Sequence, residues 1–240
     1  LIQTLREAAA LVRDGSVLAL GGMTLYRRPV AFVRELLRRK TRGLTLATLA
    51  GGFESDLLVG AGCVSTVRTC YLGLEIFGFA PMYTLRAREL RIVEETEATF
   101  CGSFRGSVPG RILRGTDILI DRPDIRPEGE TIRIPPIEAD VAIIHALQAD
   151  REGNARFVGN LACDIELAKT AKHTIVTAER IVERVDGPTI QAHAVVEAPR
   201  GSWPASCYPD YPFDGLELLR YVRACREGRF EDYLAEFLSR

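Results

Sequence analysis

The feature that most constrains this chain is a rhythm in its first hundred residues: an apolar run, a glycine stop, then a helix-spaced segment. Val17-Leu18-Ala19-Leu20 ends at Gly21-Gly22, Leu44–Leu49 ends at Gly51-Gly52, and the run from Cys63 ends at Gly73. Behind Pro29, a residue suited to a helix start, Val30, Val33, Leu36 and Leu37 recur at helical spacing while Arg34, Glu35, Arg38 and Arg39 face outward. Further helices are expected near residues 2–13, over 54–60, and from Pro81 toward Leu90. Strand, glycine turn, helix, strand is the order of a parallel sheet with crossover helices.

The second half continues the pattern. "EADVAIIHALQ" reads as a buried strand, "ADREGNARF" as a turn, "DIELAKTAK" as a helix and "HTIVTAERIV" as another strand. "DGLELLRYVRACREGRFEDYLAEFL" reads as two helices joined at Gly228. Residues 105–136, rich in Gly, Pro and Arg, have the weakest pattern and are expected to be loop. Without a repeat or a convincing linker, residues 1–240 are expected to form one α/β domain: an open, largely parallel sheet with helices on both faces and a C-terminal helical segment.

With 31 basic against 32 acidic residues, no global field draws the chain to nucleic acid or a membrane surface. No run approaches the roughly 20 apolar residues of a membrane span, and the first residues read as an amphipathic helix, so a cytoplasmic location is expected. The six cysteines contain no C-x-x-C pair and sit among apolar residues, which points to reduced thiols and no zinc site.

In an open parallel sheet, loops at the carboxyl ends of the strands line the ligand crevice, and glycine there lets backbone N–H groups approach a ligand. Gly21, Gly22, Gly51, Gly52 and Gly73, with the nearby Met23, Thr24, Phe53 and Glu75, are therefore candidate binding residues; the bland reading is that the glycines only turn the chain. None fits G-x-G-x-x-G or a P-loop, which disfavours nucleotide binding. Arg27 and Arg28 precede a helix N-terminus and suit a carboxylate or pyrophosphate; salt bridging is the alternative. In "EETEATF", Thr96 suits a helix N-cap, and the acids Glu94, Glu95 and Glu97 either serve the helix dipole or supply a base or nucleophile. His145, His173 and His193 show no metal-ligand spacing, no G-x-S-x-G elbow is present, and His145 reads as a buried, hydrogen-bonded histidine.

Taken in order, "GSVLALGGMTLYRRPVAFVRELLRR", "GLTLATLAGGFESDLLVGAGCVSTV", "YLGLEIFGFAP", "EADVAIIHALQADREGNARFVG" and "VVEAPRGSWPASCYPDYPFD" resemble the α-chain of family I CoA-transferases, of the glutaconate CoA-transferase type. The resemblance runs from residue 5 to about 235. It implies a NagB-like open α/β fold, a partner β subunit in an αβ or α2β2 assembly, and coenzyme A as part of the substrate with no permanently bound cofactor or metal. It also implies that the glutamate attacking the thioester lies on the β-chain, while this chain helps hold the acyl group. Gly21-Gly22 would then turn Met23 and Thr24 toward the acyl group, and Arg27 and Arg28 would position a carboxylate or the facing β-chain.

The α-chain of cholesterol ring-cleaving CoA-thioester hydrolases is similar too. Its working carboxylate is on the α-chain, and Glu97 is the matching position, a base for opening a cyclic diketone. A non-catalytic acyl-CoA-binding subunit is the remaining alternative. Two departures bear on the substrate: "RILRGTDIL" follows "GSFRGSVPG" directly, where relatives carry a longer stretch, and Gly201-Ser202-Trp203-Pro204 stands where relatives often read "GAHP".

Overall fold

The computed structural model describes all 240 residues. Its strands are β1 (Val17–Leu20), β2 (Leu44–Gly51), β3 (Val64–Leu72), β4 (Arg91–Glu94), β5 (Ser107–Pro109), β6 (Arg126–Glu128), β7 (Thr131–Arg133), β8 (Val141–Asp150), β9 (Asn154–Arg156), β10 (His173–Val182), β11 (Ile190–Gln191) and β12 (Ala194–Glu197). The helices are α1 (Leu5–Ala9), α2 (Val30–Arg39), α3 (Phe53–Gly60), α4 (Pro81–Arg86), α5 (Glu97–Ser103), α6 (Ile118–Asp121), α7 (Asp164–Thr170), α8 (Gly215–Arg226) and α9 (Phe230–Ser239).

Seven strands run parallel in the order β12-β10-β8-β1-β2-β3-β4, and β9 and β11 extend the sheet antiparallel. From β1 the chain winds outward through β2, β3 and β4, then returns to lay β8 against the other edge of β1. The strand order therefore reverses between β1 and β8, the position where open α/β sheets place their crevice. Gly21-Gly22 leaves β1 at that point, and the Gly21 N–H donates to Ile143 O of β8 at 2.9 Å.

Apolar residues on both faces of β1, β2 and β8 give each a nearly continuous buried pattern, as a two-sided parallel sheet requires. One face packs under α2, α3, α8 and α9. At its centre the Phe53 ring lies edge-on to Tyr221 at 4.9 Å and to Phe237 at 5.4 Å, so the C-terminal helices are riveted onto the first half of the chain. The other face packs Ala19, Ala47, Leu49 and Ala142 beneath Phe100 of α5 and Leu167 of α7.

Three sequence-based expectations change. The first helix is shorter than residues 2–13, because after Ala9 the backbone closes tight i→i−3 turns at Ala10, Leu11 and Val12. Pro29 occupies the N-cap of α2 rather than its first turn. Residues 105–136 are not mere loop: β5, β7 and β6 form a small antiparallel sheet whose own core is Val108, Leu113, Ile118, Ile125, Ile132 and Ile134. No helix is long and apolar enough to cross a membrane.

One buried carboxylate couples three helices. Ala80, the N-cap of α4, has no side-chain acceptor, and Asp56 of α3 supplies it by accepting from Met82 N (3.1 Å), Tyr83 N (2.6 Å) and the Tyr221 hydroxyl (2.6 Å). Burial nonetheless pushes its carboxyl up to about 6, against the pull of those three donors. Because the folded value lies above the unfolded one, the folded chain binds a proton that the unfolded chain lacks between roughly pH 4 and 6. That stabilisation is complete below the unfolded value and is lost as pH rises through 6. Urea midpoints across pH 4–7 check this: the stability of wild type relative to Asp56→Asn declines as pH rises. A difference that stays flat or grows contradicts the assignment.

Candidate active site

Three loops meet at the carboxyl tips of β1, β2 and β3. Thr24 N donates to Ala50 O at 2.9 Å, Gly73 N donates to Gly51 O at 3.1 Å, and the Gly21-Gly22 turn lies against the start of α7. The sequence-predicted glycines are thus brought together, but they lie inside, and so do Thr24 and Phe53. The chain's own atoms crowd these glycines, with backbone the obstacle at Gly22 and Gly52. A Cβ on Gly21 would stand 2.5 Å from Asp164 Oδ1, one on Gly52 2.0 Å from Thr24 O, and one on Gly73 2.2 Å from the Tyr71 hydroxyl. Gly22 adopts φ +78°, open to glycine at little cost.

Both arginines turn inward. Arg27 is fully buried, with its guanidinium 2.7 Å from Asp164 Oδ2, donating also to the His145 and Asn160 carbonyls and stacked against the Tyr26 and Phe157 rings. Arg28, equally buried, meets Glu54 Oε1 at 2.6 Å, Thr48 Oγ1 at 3.1 Å and Ala50 O at 3.2 Å. Their expected contact with a ligand carboxylate is taken instead by carboxylates of this chain. Asp164 does double duty, since its Oδ1 accepts the Gly22 N–H at 2.8 Å. The two pairs pull the turn after β1 down onto α3 on one side and α7 on the other.

This anchoring holds an uncomfortable backbone. Of six non-glycine residues with positive φ, Thr24, Arg27, Glu75 and Ala162 lie in the strand-tip loops or the segment facing them. Such conformations cost on the order of 1–3 kcal/mol each and persist where surroundings over-determine them. The surface offered around them comes from half-buried Met23, Tyr26 and Tyr71, exposed Glu75, and the apolar Ile76 and Phe79, which are 82% and 78% exposed.

The acidic segment divides by environment. Glu95 is buried and held by Arg68 and by Arg122, the latter at 2.9 Å. Thr96 is the N-cap of α5, as its position suggests, and shares a capping box with Thr99. Glu97 begins that helix, is exposed, and makes no hydrogen bond or ion pair. It is close enough to Cys70 of β3 to disfavour the thiolate there, although burial is the main reason that thiol is pushed up to about 12. Among the acids near the strand tips, Glu54, Glu95 and Asp164 are paired with arginines, while the exposed Glu75, Glu94 and Glu97 carry no side-chain hydrogen bond or ion pair.

His145 is buried and hydrogen-bonded, with Nδ1 2.8 Å from Thr177 Oγ1 and Nε2 2.7 Å from Glu179 Oε1. Glu179 also accepts from the Tyr211 hydroxyl and, at 2.6 Å, from Arg200 N. Burial raises the Glu179 carboxyl, yet these donors hold it below its ordinary value. Cys207 completes a trio whose ligand atoms lie within 4.8 Å of one another, but His145 and Glu179 are already engaged with each other, Thr177, Tyr211 and Arg200, and all three are buried. Two cavities lie away from the strand tips: one of about 430 Å³ between α7 and Thr189–His193, another of about 750 Å³ at the amino ends of β2, β3 and β4.

The coenzyme A transferase family model matches residues 2–100 and 128–195. The A subunit of glutaconate CoA-transferase from Acidaminococcus fermentans is 29% identical, with 99% of this chain and 87% of that protein covered. The crystal structure of that enzyme superposes with a TM-score of 0.87 at 27% identity, covering 99% of this chain and 88% of that one. The A subunit of 3-oxoadipate CoA-transferase from Pseudomonas knackmussii is 32% identical over 88% of this chain and 83% of its own length. The cholesterol ring-cleaving hydrolase IpdA subunit of Rhodococcus jostii is 27% identical over 98% and 91%. A crystal structure of the decarboxylase AibA/AibB superposes with a TM-score of 0.90 at 27% identity, covering 100% of this chain and 98% of that one. The chain spans 56% of the length of an uncharacterized Archaeoglobus fulgidus protein to which it is 32% identical over 95% of its residues.

Close approach of the chain's own atoms makes strand-tip glycines costly to replace, and two substitutions contrast a crowded glycine with an open one. Gly52→Ala drives a Cβ into a backbone carbonyl and is expected to cost about 2–4 kcal/mol. Gly215→Ala, whose nearest neighbour would be Phe77 at 3.4 Å, is expected to be neutral or to stabilise α8 by up to about 1 kcal/mol. Urea midpoints of the two variants check both signs.

Proposed function

From the coenzyme A transferase family, to which this chain belongs, we propose an α-type subunit that helps move coenzyme A between a small dicarboxylic or keto acyl thioester and a free acid. The observation that carries the reading is the match to the A subunit of glutaconate CoA-transferase over 99% of this chain. In this reading a glutamate on a partner β-chain attacks the thioester carbonyl and expels the coenzyme A thiolate, leaving an acyl-glutamyl anhydride. The thiolate then attacks the glutamyl carbonyl, releasing the free acid and leaving an enzyme thioester, and the acceptor acid reverses the steps. Coenzyme A is consumed and returned as part of the substrate.

This chain's part is to shape and polarise half of the site. Its buried acids Asp164, Glu54 and Glu95 are paired with arginines and spent on the fold, which fits a nucleophile borrowed from a partner. The buried glycines and arginines act by fixing the turns, while Met23, Glu75 and the backbone beside them face the acyl group. A partner β-chain is supported by relatives named as subunits, and by the exposed Ile76, Phe79 and Leu216 around the β3 loop and α8. Such an apolar surface fits a protein contact better than water.

Glu97 supports a second reading. It is exposed and unpaired at the first position of α5, so it is free to act as a base in a ring-opening hydrolase, the chemistry named for the IpdA relative. The test is to purify the chain with the protein encoded beside it and to supply an acyl-CoA with free acetate or glutarate. Coenzyme A exchange is expected from the complex and none from this chain alone. Glu97→Gln is expected to keep exchange within a factor of about three, whereas a catalytic base would cost roughly 10²–10⁴-fold. A complex that exchanges nothing but consumes a cyclic diketone thioester, or decarboxylates its acyl-CoA, overturns the transferase reading.

A further inference from the structure

Cys101 and Cys163 are 62 positions apart in sequence, yet their Sγ atoms stand 3.0 Å apart where α5 meets the segment leading into α7. Both are free thiols. Two thiolates sharing one tetrahedral zinc ion, each about 2.3 Å from it, would be separated by about 3.8 Å. The observed spacing is too short for that, and no third side-chain donor gathers around the pair. A disulfide requires about 2.05 Å, so a movement of roughly 1 Å would close it.

The surroundings give the pair an order of reaction. Cys163 is buried, and burial together with the neighbouring Cys101 holds its thiol well above the ordinary range. Cys101 is only half-buried and is the more accessible residue of the two. It also lies one turn beyond Glu97 on the same face of α5. Cys163 immediately precedes Asp164, the residue that holds the Gly22 N–H and the Arg27 guanidinium.

We propose that Cys101 and Cys163 form a reversible disulfide that ties the Glu97 helix to the Asp164 anchor and thereby regulates the strand-tip site. The oxidant is a low-molecular-weight disulfide. The Cys101 thiolate attacks one of its sulfurs, and the first small thiolate leaves and takes up the Cys101 proton. The Cys163 sulfur then displaces the second thiolate from the mixed disulfide, its proton passing to that leaving group. Two protein thiols are oxidised and one small disulfide is reduced to two thiols. Proximity compensates for the weak acidity of Cys163, because the second attack is intramolecular. A shift of about 1 Å beside Asp164 would disturb the Gly22 turn, and misplacement on that scale can cost a site up to 10²-fold.

The disulfide stands on geometry alone; its effect on turnover rests on the acyl-CoA reading above. The full chain, and its complex with the partner, are incubated with oxidised glutathione and mapped as peptides without reduction. The Cys101 peptide is expected linked to the Cys163 peptide, with two hydrogens lost and full reversal by dithiothreitol, and the melting temperature rises on oxidation. Cys101→Ser and Cys163→Ser each abolish the link. Separate alkylation of both cysteines, a persistent glutathione adduct on Cys101, or a link to Cys70 overturns the pair. In the complex, oxidation is expected to lower coenzyme A exchange at least tenfold, reversibly, in wild type and in neither serine variant. Undiminished exchange by the linked protein overturns the regulation. If the reduced complex performs no exchange, the functional reading fails while the peptide map still decides the disulfide.

Discussion

Two buried arginine–carboxylate pairs, Arg27–Asp164 and Arg28–Glu54, are the constraint on which the strand-tip end of this molecule depends. Neither guanidinium touches solvent. Ion pairs removed from water gain little net stability, because desolvation offsets their attraction. What they supply is direction. Arg27 and Arg28 are neighbours in the chain, yet one reaches α7 and the other α3, so the turn after β1 is fixed from both sides of the strand-order reversal. Two fixed partners for adjacent side chains leave that turn a single arrangement.

That rigidity extends to the backbone of the strand-tip loops. The loops after β1 and β3 carry positive-φ residues at Thr24, Arg27 and Glu75, conformations that would relax if the anchors were loose. A site that must present backbone dipoles to a developing charge gains from having no reorganisation left to do. The same anchoring consumes Asp164 and Glu54 and leaves the exposed Glu75 and Glu97 unpaired. The chain is similar to a ring-cleaving hydrolase subunit and superposes on a decarboxylase, so the scaffold alone does not fix the chemistry.

Much of the architecture was legible because it is encoded locally. The runs ending at Gly21, Gly51 and Gly73 are strands, His173–Val182 is a strand, Gly228 does separate two helices, and Thr96 does cap one. What was not legible depends on residues far apart. The partner of Arg27 lies 137 positions away, so sequence alone left open whether the arginine faced a ligand or the interior. The reversal between β1 and β8 is likewise a property of the assembled sheet. The core within residues 105–136 is built from widely spaced isoleucines with no single period, and so it read as loop. The strand-tip glycines were found in the right places, but the crowding that demands them comes from Asp164, Thr24 and Tyr71 rather than from anything visible in their spacing.

The most direct measurement of the central claim, that these pairs hold the turn after β1 as firmly as the sheet itself, is amide hydrogen exchange at Gly22, whose N–H donates to Asp164. The account predicts protection of Gly22 comparable to that of the β1 amides, lost in Asp164→Asn while β1 itself stays protected. Exchange of Gly22 in the wild-type protein at the rate of an exposed turn such as Gly129 would contradict it.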